Sequence, residues 1–174
     1  TVGGKKFPGS PDQPTQKLAI TDETIDEWKS AAEAGGTLTC SDGNIHKIKK
    51  DTTLGPIKIP CDLEISGSPT ITIAGNVWVT GNIDIKNTAT IRIASALGKK
   101  SVPVIADNPG NRLSSSKIIL QNSVEFINSG TKGSYILMIS QNNSSESGGS
   151  EAAIDIKNTA HGDLLVYARH GEIL

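Results

Sequence analysis

From Gly36 onward the chain is written in short apolar pairs, each split by one polar residue. Ile57/Ile59, Leu63/Ile65, Ile71/Ile73, Val77/Val79, Ile83/Ile85 and Ile91/Ile93 follow one another, and then Val102/Val104, Ile118/Leu120, Val124/Phe126, Ile136/Met138 and Ile154/Ile156. Period-two alternation broken by Gly, Asn or Ser predicts short strands with one buried face and tight corners. A shift of 20 residues carries the pairs at 57, 63 and 71 onto those at 77, 83 and 91. Three strands that recur together make one coil of a β-solenoid.

Later coils are longer, but one column runs through them. "IDIKNT" (83–88), "IILQNS" (118–123) and a second "IDIKNT" (154–159) align, which stacks Asn87, Asn122 and Asn158 at one corner as a structural ladder. Asn tolerates the left-handed backbone of such corners and can link side chain to side chain between stacked coils. The duplicated heptapeptide "IDIKNTA" is therefore read as a strand and its corner used twice, not as two copies of a catalytic site. The extra residues, "ALGKK" (96–100), "NPGNRLSSS" (108–116) and "SQNNSSESGGSE" (140–151), are read as polar loop insertions.

Residues 1–20 carry three prolines and no periodicity, which predicts an extended arm or linker. The segment 21–36, "TDETIDEWKSAAEAGG", predicts one helix: Thr21 caps it, acids crowd its first turn, and Gly35-Gly36 end it. Ile25, Trp28 and Ala32 give it one apolar stripe, expected either to flank the solenoid that occupies 37–174 or to cap its N-terminal end, for which it is a natural cover. The expected fold is all-β: a right-handed parallel β-helix with one amphipathic helix.

Composition supports that picture. Aromatics are only 3% of the chain, so β-branched side chains must form the core. The net charge is −1 with no basic block, which argues against nucleic acid or an anionic membrane as partner. The abrupt start at "TVGGKK" and the final "GEIL" suggest a piece of a longer precursor.

Cys40 and Cys61 stand almost one coil apart, and stacked positions lie within disulfide reach. A bond between the first two coils is expected, with two free buried thiols as the alternative; a bond implies export to an oxidising compartment. No zinc-ligand spacing accompanies the cysteines, and no cofactor or metal motif is recognised.

Candidate chemistry is sparse. Glu64 and Asp84 share an outward column that Asp155 continues, and Asp62 also points outward; Trp78 faces out between Val77 and Val79. With Arg92, the residues Trp78, Glu64 and Asp84 form the candidate ligand face, where acids and a base would suit a polysaccharide-acting enzyme and Trp78 could stack on a sugar. A solvated acidic face, and a Trp packed under the helix, are the structural alternatives. His161, Asp163, Arg169, His170 and Glu172 form a second titratable cluster near the C-terminus, read as chain-end polarity. The outward threonines Thr70, Thr72, Thr80, Thr88 and Thr90 do not form a regular array, and the sequons at Asn142 and Asn143 are given no role.

The helix motif "IDEWKSAA", the stretch "GNVWVTGNI", and the later "GSYILMIS" and "LLVYARHGEI" resemble an uncharacterised group of bacterial, largely candidate-phylum proteins. These are predicted surface or pilus-associated β-solenoids, and the likeness covers about residues 7–174. It implies a non-enzymatic, extracellular or cell-surface structural or adhesion module, whose partners are other coils or subunits of a surface assembly, or a glycan or host surface. It supplies no catalytic residue, and the cysteine pair is not a feature of the group. A self-assembling, polymer-forming solenoid is a further expectation.

Overall fold

The computed structural model describes residues 20–40 and 44–174, so the expected arm at 1–20 lies outside the described residues apart from Ile20. One helix, α1 (Asp22–Ala34), precedes fifteen short strands. The first coil holds β1 (Ile45–Ile48), β2 (Thr52–Leu54) and β3 (Ile57–Ile59), and the second holds β4 (Asp62–Ile65), β5 (Thr70–Ile73) and β6 (Val77–Val79). The third holds β7 (Ile83–Ile85), β8 (Thr90–Ile93) and β9 (Val102–Ala106), and the fourth β10 (Ile118–Gln121), β11 (Glu125–Ile127) and β12 (Ile136–Ser140). The fifth holds β13 (Ile154–Lys157), β14 (His161–Gly162) and β15 (Leu164–Ala168).

Corresponding strands stack into three parallel five-stranded sheets: sheet 1 from β1, β4, β7, β10 and β13, sheet 2 from β2, β5, β8, β11 and β14, and sheet 3 from β3, β6, β9, β12 and β15. The chain is a parallel β-helix. Its register is the one the repeat predicts, with Ile57 opposite Val77, Leu63 opposite Ile83 and Ile71 opposite Ile91. Each inward position becomes a ladder of like side chains, such as Leu63, Ile83, Ile118 and Ile154, all buried. Burying each of these side chains is worth about 1.5–3 kcal/mol, so the ladders are the main source of cohesion. The pattern missed β1, β2 and β14, where His46, Thr52 or Gly162 replaces one member of the apolar pair.

Of the two expected placements the helix takes the flank, not the N-terminal end. It lies along the flank of sheet 3, with Ile25, Trp28 and Ala32 packed on Trp78, Ile105 and Ile139. Those three belong to one outward column, Lys58–Trp78–Ile105–Ile139–Tyr167, drawn from all five coils. The fit is dimensional. Thirteen helical residues at about 1.5 Å each make roughly 20 Å. Five strands leave four gaps of about 4.8 Å, or roughly 19 Å. Contacts at both ends agree with this span: Tyr167 Oη donates to Ile20 O at 2.6 Å in the fifth coil, and Lys58 Nζ donates to Glu33 at 2.8 Å in the first. A helix of this length holds more apolar surface against five outward residues than it could against the single layer at an end, which is why the flank wins.

After α1 the chain turns back onto sheet 3. Thr37 pairs with Lys58, and Leu38 N donates to Lys58 O at 2.8 Å, adding a partial strand beyond β3. Gly35 makes this return possible, because a Cβ there would stand 2.2 Å from Pro56 O. Continuing the same register, Cys40 meets Cys61 in a disulfide with a Cα separation of 6.5 Å.

Candidate functional site

The four residues of the expected ligand face occupy three different sheets. Glu64 and Asp84 are neighbours on sheet 1, Arg92 stands exposed on sheet 2, and Trp78 belongs to sheet 3. A three-sided coil turns between every strand, so residues close in sequence point in divergent directions. No groove gathers them.

On sheet 1 the acidic column is interrupted: Ile119 sits between Asp84 and Asp155. A parallel column of lysines neutralises it. Lys86 Nζ lies 2.9 Å from Asp84 and 3.2 Å from Glu64, and Lys157 lies 2.9 Å from Asp155. Hydrogen bonds to Asp84 and then Glu64 raise the Lys86 pKa above its ordinary value. Gln121 donates to Asp84 as well, and Asp62 accepts from the backbone of Asn82 at 2.7 Å. A shallow depression of about 230 Å³ runs past Asp62, Glu64, Asp84 and Lys117. Its carboxylates are thus committed to local partners.

Trp78 is covered rather than presented. It is 9% exposed, its Nε1 donates to Asp107 O at 2.9 Å, and Lys58 Nζ sits 4.2 Å from its ring centroid. Beside it lies a buried cluster of charged groups. The Asp107 carboxylate is fully buried and accepts from Lys29 Nζ at 2.6 Å, Arg112 Nε at 2.7 Å and Arg112 Nη2 at 2.9 Å. The carboxylate raises the Arg112 pKa. This cluster ties α1 (through Lys29) to the strand end of β9 and to the insertion after it. A buried carboxylate needs such partners, since an isolated one would cost several kcal/mol. The sequence carries a signal for this covered flank. "VPVIA" (102–106) and "ILMIS" (136–140) are apolar on both faces, and a strand of that kind must be covered on both sides.

The C-terminal titratable cluster divides across the molecule. His161 is exposed on sheet 2, and Asp163 accepts from Asn128 at 2.9 Å at the following corner. Arg169 and His170 lie beyond the other end of β15, where Arg169 is 3.1 Å and His170 3.3 Å from Asp22, the first residue of α1. His170 Nδ1 is also 2.7 Å from Glu146. Glu172 pairs through its backbone with Ala153 and Ile154. These groups fasten the helix start and the last insertion.

At the corner between sheets 1 and 2, Asn87, Asn122 and Asn158 have φ of 66°, 66° and 68°, and Gly67 fills the same place one coil earlier with φ 90°. Asn122 Nδ2 donates to Asn87 Oδ1 at 3.4 Å and Asn158 Nδ2 to Asn122 Oδ1 at 3.3 Å. The long insertions at the corner after sheet 3 are not free loops. Asn142 is fully buried, donating to Leu113 O and Ser115 O, which removes it as a glycan acceptor in the folded chain. Among the described residues no group of three or more metal-ligating side chains occurs. No family model matches the chain, and no curated protein or solved structure is significantly similar to it.

Proposed function

We propose that this chain is a structural module of an exported bacterial surface or appendage protein, serving as a stiff β-helical body. The observation that carries the reading is the bracing of one flank: a helix as long as the stack is bonded to its first and last coils, and a disulfide ties the segment that follows it to the turn between the first and second coils. Disulfides persist in oxidising compartments, which supports export. The acids Glu64, Asp84 and Asp107 are engaged by neighbouring lysines and Arg112, which supports a mechanical role over an enzymatic one.

Single-molecule pulling on the module between inert handles tests this. The oxidised protein should unfold at high force, and Cys40→Ser/Cys61→Ser should unfold at markedly lower force. Equal resistance in the two forms would sink the proposal, as would turnover of any polysaccharide in a substrate panel.

A further inference from the structure

The corner between sheets 2 and 3 carries two insertions unlike the others. The second coil turns it in three residues, 74–76, whereas the third and fourth use eight each, 94–101 and 128–135. These two segments contain Lys99, Lys100 and Lys132 and no Asp or Glu. All three lysines are exposed, and none has a carboxylate within ion-pair distance among the described residues. At the corner after sheet 3 the cations of the insertions are matched: Arg112 is held by Asp107 and Lys117 by Glu151 at 2.6 Å. Of the nearby acids, Asp163 at the same corner of the fifth coil is engaged by Asn128, and Glu125 stands at the opposite end of β11. Exposed Arg92 adds a further cation on β8, the strand that feeds the first insertion.

The two insertions also form one ordered platform. Ser129 and Ser134, both buried, hydrogen-bond each other at 3.0 Å. Ser129 Oγ donates to Gly98 O, and Tyr135 N donates to Ser101 Oγ at 3.0 Å, so each loop is tied to the one above it. Buried hydroxyls that crosslink two loops hold the lysines at fixed places, which lowers the entropy cost of binding.

We propose that this corner docks an acidic polysaccharide, a deepening that rests on the extracellular reading above. Adjacent coils stand about 4.8 Å apart, so successive loops present cations at a spacing suited to charges recurring along an extended chain. Ser101 and Thr131 add neutral hydrogen-bonding groups for sugar hydroxyls. Nucleic acid fits less well, because the insertions offer one tyrosine and the molecule has a net charge of −1. A membrane fits less well still, since no exposed large apolar side chain lies in either loop.

Affinity electrophoresis through polygalacturonate tests the inference, with dextran as the neutral polymer and duplex DNA as the rival polyanion. The native protein should be retarded by polygalacturonate alone, less so as salt rises. Lys99→Glu/Lys100→Glu/Lys132→Glu should bind roughly tenfold more weakly or worse, while Lys47→Glu/Lys49→Glu/Lys50→Glu, an equal charge change on the first coil, should bind as before. Circular dichroism confirms that both variants fold. No retardation, equal loss in both variants, or equal retardation by DNA each overturns the assignment, and none of these bears on the pulling experiment.

Discussion

Asn122 shows how a single corner residue is chosen. Its φ of 66° lies where a Cβ clashes with the following carbonyl, at a cost of about 1–2 kcal/mol for most residues. Its amide offsets that cost by bonding the coil on either side. Asn122→Ala should therefore destabilise by about 1–2 kcal/mol in urea unfolding, and Asn122→Gly by less, because Gly keeps the backbone and loses only the ladder. Tyr167 makes a pH-dependent prediction. Burial raises its pKa above 10.0. The folded chain thus holds the phenolic proton more tightly than the unfolded chain, and this stability is present at neutral pH and lost as pH rises through the folded value. Alkaline titration of stability should show a fall that Tyr167→Phe makes smaller, the remainder including the Lys86 ammonium, whose pKa is also raised. A fall of the same size in the Phe variant would place its origin elsewhere.

At the scale of elements, α1 and sheet 3 depend on each other. Asp107→Asn would leave Lys29 and Arg112 without their buried counter-charge, and removing one partner of such a cluster costs about 3 kcal/mol. Both tryptophans lie at this interface. Their emission should shift to the red at denaturant concentrations that leave the β-sheet circular dichroism intact, reporting an undocked helix. The disulfide closes a separation of 21 residues, so Cys40→Ser/Cys61→Ser should lower stability by about 2–4 kcal/mol. A loss confined to the helix, with the sheets melting as before, would mean that the bond anchors α1 alone.

For the whole molecule, the repeat implies that one coil can be removed while the helix cannot follow. Deleting 63–82 joins Asp62 to Ile83 and keeps every remaining inward ladder in register. The shortened chain should retain its β-sheet spectrum, since each coil contacts only its neighbours. It should still lose helix docking, because the deletion removes Trp78 and leaves four strands beneath a helix that spans five. Complete unfolding of this variant would show that α1 is required for the β-helix to form.

The period-two pairs and their 20-residue recurrence determined the coil, its register and every strand but β1, β2 and β14, because stacking like on like is a local rule repeated at each turn. The same arithmetic placed Asn87, Asn122 and Asn158 at one corner and Cys40 near Cys61. What the sequence left open depends on direction in space. A three-sided coil sends Glu64, Trp78 and Arg92 to three separate faces, and only the turns between strands decide which. The position of α1 was likewise decided by tertiary structure: its stripe says that it must cover something, but only the outward column at Trp78, Ile105, Ile139 and Tyr167, assembled from four distant strands, says what.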